Sequence, residues 1–138
     1  MILLDTNLIS EPLRPAPEPA VLAWIDAQPL ETLFLSAISV AELRIGIAAM
    51  AAGKRRDILR ERIETQVLPV FSGRILPFDM AATQPCADLL AKAKSKGYAI
   101  ALSDAWIAAI ALTHGMSVAT RDVEPFRIAG CAVVNPWP

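Results

Sequence analysis

Short runs of consecutive apolar residues recur along this chain, and longer stretches with helical spacing of apolar positions separate them. Continuous rather than alternating apolar runs are typical of strands that are covered on both faces. They predict five strands, at residues 2–4, 32–35, 74–78, 117–120 and 132–134. The intervening stretches predict helices at 18–28, 39–52, 54–67, 79–96 and 103–114.

Alternation of strands and helices favours a parallel sheet between two helical layers. The predicted fold is therefore α/β, with a three-layer α/β/α arrangement and a mostly parallel central sheet of about five short strands. The chain has 138 residues, the length of one ordinary domain. A single domain over residues 1–138 is expected.

Local signals predict several helix boundaries. Ser39 and Glu42 have the spacing of a capping box at a helix start. Asp79 can cap the helix that follows it, within which Pro85 predicts a kink or a later start. Gly115 is placed to end the helix that includes His114. The proline-rich segment 12–19 predicts a loop or a broken helix end.

Composition adds an expectation about assembly. Apolar residues make up 54% of the chain and charged residues only 20%, against about 25% charged in an ordinary domain. Because one small subunit cannot easily bury so much apolar surface, part of it is expected in an oligomer or partner interface.

The same pattern argues against a membrane or secreted protein. The most apolar helical stretch, 99–112, contains Ser103 and Asp104 and is too short to cross a bilayer. The first residues lack the basic and cleavable parts of a secretory signal. Cys86 and Cys131 lack metal-ligand spacing, so reduced core cysteines in a cytoplasmic protein are expected.

Four acidic residues, distant in sequence, stand at the ends of predicted strands or the starts of predicted helices: Asp5, Glu42, Asp104 and Asp122. In open α/β sheets, ligand sites gather beyond the carboxyl ends of the strands. Each residue also has a structural interpretation, as a helix cap for Asp5, Asp104 and Asp122 and as part of the capping box for Glu42. If the fold gathers them, protons or a metal ion must offset their repulsion.

Carboxylate oxygens are the ligands that Mg²⁺ and Mn²⁺ prefer. Such ions can assist hydrolysis of a phosphodiester by metal-activated water, a reaction that needs no histidine. The single histidine, His114, is accordingly interpreted as a helix C-terminal residue.

Four segments, in order, resemble the PIN-domain family, and within it the VapC/FitB-type toxins of toxin–antitoxin pairs. They are Leu4-Asp5-Thr6-Asn7, Ser39-Val40-Ala41-Glu42-Leu43, Asp104-Ala105-Trp106-Ile107-Ala108-Ala109 and Ala119-Thr120-Arg121-Asp122. The ending, Val134-Asn135-Pro136-Trp137, is also similar. The resemblance covers essentially the whole chain.

The resemblance implies an endoribonuclease that depends on Mg²⁺ or Mn²⁺ and leaves 5′-phosphate and 3′-hydroxyl ends. It implies that Asp5, Glu42, Asp104 and Asp122 are the catalytic and metal-binding set, supported by Asn7 and Thr120. It also implies homodimers, a cognate antitoxin that covers the acidic site, and binding of the pair to operator DNA through the antitoxin.

Contacts to the RNA substrate are less defined. The net charge of -1 argues against strong overall attraction to nucleic acid. Arg121 adjoins Asp122 and has the best position for a phosphate contact. The basic groups at 54–62 and 92–96 are interpreted as solvated helix faces with local ion pairs, and Trp24, Trp106 and Trp137 mainly as packing residues.

Two rival hypotheses remain. One is a PIN-like module that binds RNA or protein without cleaving it, although the intact acidic set argues against this. The other is a haloacid-dehalogenase-type phosphatase. That chemistry needs a second aspartate two positions after the first, where this chain has Asn7.

Overall fold

A computed structural model describes all residues, 1–138, and shows strands and helices in alternation. The five strands are β1 (Ile2–Leu4), β2 (Leu33–Ser36), β3 (Ile75–Leu76), β4 (Ser117–Ala119) and β5 (Val133–Val134). The seven α-helices are α1 (Thr6–Ser10), α2 (Pro19–Ala27), α3 (Ala37–Ala48), α4 (Lys54–Glu61), α5 (Met80–Ser95), α6 (Leu102–His114) and α7 (Val123–Ile128).

The sheet has the strand order β3-β2-β1-β4-β5, with β1 at its centre. Every neighbouring pair is parallel. The predicted fold is confirmed, and the sheet is wholly rather than mostly parallel. Since all strands run the same way, their carboxyl ends share one edge, and the residues that follow β1 and β4 meet there.

Two hydrophobic clusters cover the two faces of the sheet. Leu3 and Val118 point into one cluster, which holds the buried residues of α5, α6 and α7. Leu4 and Ala119 point into the other, which is formed with α1, α2 and α3. Successive strand residues thus alternate between two cores, which explains why the strands read as unbroken apolar runs.

Helix α3 begins earlier than predicted. Its N-cap is Ser36, whose side chain accepts a hydrogen bond from the backbone N–H of Ser39. Ser39 therefore lies within the first turn, and Glu42 in the second. The predicted capping box is wrong, because the serine three residues upstream supplies the cap and leaves Glu42 free for another role.

Other boundaries differ in smaller ways. Helix α4 ends at Glu61 and continues as a π-helical segment, Arg62–Val67, and then a 3₁₀ turn, Leu68–Phe71. Helix α5 runs through Pro85, so this proline does not shift its start. Gly115 ends α6 with a left-handed φ of 64° as predicted.

Cys86 and Cys131 are buried, unpaired thiols, as expected. None of the helices combines the length and the apolar character that crossing a bilayer requires.

Candidate active site

Asp5 is fixed at the carboxyl end of the central strand. Its backbone N–H donates to the carbonyl of Ala119, which extends the pairing of β1 with β4. One carboxylate oxygen accepts from the N–H of Thr6 at 2.8 Å and so caps α1. The other accepts from the hydroxyl of Thr120 at 2.8 Å. The capping interpretation is thus correct, and it leaves lone pairs on both oxygens for a further ligand.

Thr120 organises this edge of the site. Its side chain is fully buried, and its Oγ1 accepts from the backbone N–H of Asp122 at 3.0 Å and from Asn7 Nδ2 at 3.4 Å. Asn7 Oδ1 in turn accepts from the N–H of Arg121 at 3.4 Å. One threonine therefore joins the loop after β4 to Asp5, which supports the predicted positioning roles of Asn7 and Thr120.

Glu42 is held by a chain of hydroxyls that the sequence analysis missed. Thr6 Oγ1 lies 2.8 Å from Glu42 Oε1 and 3.0 Å from Ser39 Oγ. Because a carboxylate only accepts and a hydroxyl has one proton, Thr6 donates to Glu42 and accepts from Ser39. Ser39 is fully buried and also contacts Ser36 Oγ at 3.3 Å.

Only the part of this chain within α3 has a signal in the sequence. Ser39 precedes Glu42 by three residues, so both lie on the same face of α3, whereas Thr6 comes from α1 and reaches Glu42 only through the fold. The capping-box interpretation of Ser39 and Glu42 concealed it.

Asp104 enters from the first turn of α6, where no side-chain hydrogen bond holds its carboxylate. Burial and, to a smaller degree, the charges of Asp5, Asp122 and Glu42 together raise the pKa of Asp104 from 3.8 to about 6. This coupling indicates that all four acidic residues share one electrostatic environment. The side chain makes no capping hydrogen bond, although its position in the first turn of α6 still favours a negative charge there.

Asp5 responds to the same environment. Burial raises the pKa of its carboxyl, as do the charges of Glu42 and Asp122, against the lowering effect of the hydrogen bonds from Thr120 and Thr6. Asp122 precedes α7 but makes no side-chain capping bond. No lysine or arginine forms a salt bridge with any of the four carboxylates. The fold thus gathers like charges and leaves them without a cation.

The donor set suits a hard divalent cation in its chemistry, although the structure contains no group of three or more ligands already arranged around a metal position. Mg²⁺ usually keeps several waters and is held by one or two carboxylates, so it does not require a closed protein cage. The side chains of Asp104 and Asp122 make no capping hydrogen bond that would hold them away from an ion.

Cations and apolar side chains surround the acidic centre on one side. The residues that line a groove of about 420 Å³ include Thr6 and Glu42 as well as Arg14 and Arg55. Its apolar wall is formed by residues such as Leu43, Ile47, Leu59 and Ile63. A neighbouring cleft of about 630 Å³ is lined by Arg14, Lys54, Arg55 and Arg62.

The basic segment 54–62 contains a local ion pair and three cations that line the neighbouring cleft. Arg56 pairs with Asp57 at 3.4 Å, as the local ion-pair interpretation expects. Lys54, Arg55 and Arg62 form no salt bridge and line the cleft beside the acidic centre instead.

His114 ends α6 and lies on the exposed surface, and Trp106 packs against Phe78 at 6.1 Å between ring centroids.

The protein is thus a parallel α/β/α domain, and carboxylates without salt-bridge partners lie at the carboxyl edge of its sheet. The family model for the PIN domain matches residues 2–130. The chain belongs to the PIN-domain family.

Named relatives match almost the whole chain. A protein of Sinorhizobium fredii named VapC ribonuclease Y4jK is 58% identical over 99% of this chain and 98% of its own length. Toxin FitB of Neisseria gonorrhoeae is 53% identical over 99% of both chains. A solved structure of FitAB bound to a DNA fragment superimposes with a TM-score of 0.97 at 52% identity and covers 100% of this chain and 96% of that one.

Proposed function

We propose that this chain is a Mg²⁺- or Mn²⁺-dependent endoribonuclease that acts as the toxin of a toxin–antitoxin pair. The observation that carries the proposal is the gathering of Asp5, Glu42, Asp104 and Asp122 at one sheet edge with no cation to balance them. A relative at 58% identity is named a ribonuclease, and a second at 53% is named a toxin.

The reaction is the attack of water on a phosphodiester phosphorus. The new P–O bond forms as the bond to the 3′ oxygen breaks, which leaves a 5′-phosphate and a 3′-hydroxyl. A bound divalent cation would supply positive charge to the phosphate and make the attacking water more acidic. Asp5, Asp104 and Asp122 would hold the cation, and Glu42 would hold it or orient the water.

The hydrogen bonds fix two of these carboxylates in advance. Thr120 and the N–H of Thr6 hold Asp5, and the Thr6 hydroxyl holds Glu42. Such supporting contacts tune ligands and lower activity when removed. Asp104 has a pKa of about 6 and remains partly protonated near neutral pH, and it would release that proton when a cation binds.

An antitoxin is the proposed partner protein. Thr6 and Glu42 are among the residues that line the apolar groove, so a peptide segment that lies in it would contact the acidic centre and bring a basic side chain there. A solved neighbour is a FitAB assembly bound to DNA. By analogy, this chain would contact its operator only through the antitoxin.

A homodimer is also proposed. Large apolar side chains remain exposed on the isolated chain, with Met80 at 84%, Ile45 at 66% and Leu102 at 53%. Exposed apolar surface of this kind favours an interface between subunits. Light scattering on the antitoxin-free protein tests the state, and a monodisperse monomer would contradict it.

The nuclease proposal is tested by incubating a mixed RNA pool with antitoxin-free protein in Mg²⁺ or Mn²⁺ and then in EDTA. We expect metal-dependent cleavage that Asp5→Asn abolishes and Asp26→Asn, an exposed aspartate on α2, leaves intact. Products with a 2′,3′-cyclic phosphate would contradict the water mechanism. No cleavage by folded, metal-loaded protein would favour the non-catalytic binding module.

A further inference from the structure

A second cleft lies on the side where β4 and β5 end, and Arg121, the residue before Asp122, is one of its lining residues. Its volume is about 420 Å³, and its lining includes Glu11, Arg14, Glu18, Arg121 and Trp137. Arg121 stands between Thr120 and Asp122, and its N–H donates to Asn7 at 3.4 Å. The cleft is therefore tied directly to the residues that position Asp5.

Arg121 and Trp137 form a cation–π pair in this cleft. The guanidinium carbon of Arg121 lies 5.8 Å from the centre of the Trp137 ring. Trp137 packs on the core cluster that contains Leu4 and Ala119, and its backbone N–H donates to Asn135 Oδ1 at 3.0 Å. The indole is thus anchored from below, whereas the Arg121 side chain above it is exposed.

The indole is held beside a covered carboxylate. Glu11 is 4% exposed and accepts from Arg14 Nη1 at 3.1 Å. Burial acts to raise the pKa of Glu11, but Arg14 outweighs it and the net pKa is lowered. The Trp137 N–H adds to this lowering, although its geometry falls short of a hydrogen bond. The Glu11 carboxylate therefore stays ionised and forms an ion pair with Arg14.

The charges of the cleft nearly balance. Arg14 and Arg121 supply two positive charges, and Glu11 and Glu18 supply two negative ones. A second phosphate group would gain little electrostatic attraction from this cleft. An uncharged, flat group with donors and acceptors at its edge fits better, and a nucleobase is such a group. Unstacked RNA bases commonly stack on aromatic rings and on arginine guanidinium planes.

We propose that the Arg121 guanidinium, backed by Trp137, is the stacking platform for the base of a single-stranded RNA nucleotide next to the scissile phosphate. The inference rests on the proposed function for the identity of the ligand. It assigns Arg121 a role as a flat surface, and not only as a positive charge.

Binding measured without cleavage tests the platform. Labelled single-stranded RNA oligonucleotides, intact or with an abasic nucleotide at each position in turn, are titrated in EDTA by fluorescence anisotropy. For the wild type, one abasic position should weaken binding by about 5- to 100-fold, the range expected for one base stacked on a side chain. Arg121→Lys keeps the charge but loses the plane. This variant should bind the intact RNA more weakly by a similar factor, and the abasic nucleotide should then cause no further loss of binding.

Two variants serve as controls. Arg127→Lys, an exposed arginine on α7 outside the cleft, should bind like the wild type. Trp137→Phe retains a ring and should retain the abasic penalty. If Arg121→Lys binds the intact and the abasic RNA with the affinities of the wild type, Arg121 supplies charge alone and the platform is refuted. If it loses antitoxin binding but not RNA binding, the cleft holds a peptide and the inference also fails.

The outcome is separable from that of the nuclease proposal. Base-dependent binding through Arg121 without any cleavage would leave the platform standing and refute the enzyme. Normal cleavage with Arg121→Lys, at unchanged kcat/KM and unchanged sites, would leave the enzyme standing and refute the platform.

Discussion

Replacing Asp104 by asparagine should stabilise the metal-free protein while it abolishes activity. In the folded protein the pKa of Asp104 is about 6, above its ordinary 3.8, because burial and three neighbouring carboxylates oppose its charge. Between these two pH values the folded state binds more protons than the unfolded state. The free energy of unfolding therefore falls as pH rises through this window.

The size of the effect follows from the pKa difference. About two units at about 1.36 kcal/mol each give an upper limit near 3 kcal/mol. Asp104 is only partly buried, so screening by solvent reduces this to about 1–2 kcal/mol. For a chain of this length that corresponds to a rise in Tm of roughly 3–6 °C. Asparagine keeps the shape of the side chain and removes the charge.

Thermal unfolding followed by circular dichroism in EDTA is the assay, at pH 7.5 and at pH 4.5. The Asp104→Asn variant should unfold at a higher temperature than the wild type at pH 7.5 and at nearly the same temperature at pH 4.5, where Asp104 is protonated. Asp26→Asn should show no such difference. Equal Tm values at pH 7.5, or an equal gain at both pH values, would refute the reasoning.

Further predictions concern single contacts. Thr120→Val should lower cleavage by about 10- to 100-fold and destabilise the fold by about 1–3 kcal/mol, since it leaves the Asp122 N–H and Asp5 without their buried partner. Thr120→Ser should retain most of the activity and of the stability. Measurements of kcat/KM and of urea unfolding test both expectations. Thr6→Val removes the donor to Glu42 and should lower kcat by about 10-fold or more at unchanged stability of α3. Full activity of this variant would show that the Thr6 hydroxyl does not position Glu42 for catalysis. His114→Gln should leave kcat/KM within about twofold, because the residue lies on the surface at the end of α6, and a collapse of activity in folded protein would contradict that.

The fold was predictable because its signals are local and repeated. Unbroken apolar runs mark strands buried on both faces, and Leu3 and Leu4 do point into different cores. The parallel sheet then fixes where the strand ends lie, and it predicts that Asp5 and Asp122 lie at one edge.

The failures arise where one residue has two local explanations. Ser39 and Glu42 fit a capping box, yet Ser36 caps α3 and leaves both to the acidic centre. Thr6 and Ser39 meet across a separation of 33 residues, a contact that no local pattern encodes. The π-helical segment after Glu61 and the cation–π contact of Arg121 with Trp137 also depend on tertiary packing.

The central claim is that the four carboxylates act as one metal-dependent catalytic centre. The most direct measurement compares RNA cleavage by Asp5→Asn, Asp104→Asn and the double variant, each shown to be folded and assayed in Mg²⁺ or Mn²⁺. Residues that act as a unit give non-additive losses, so the double variant should be no slower than the slower single one. Losses that multiply, or an active Asp104→Asn protein, would show that the carboxylates do not form one centre.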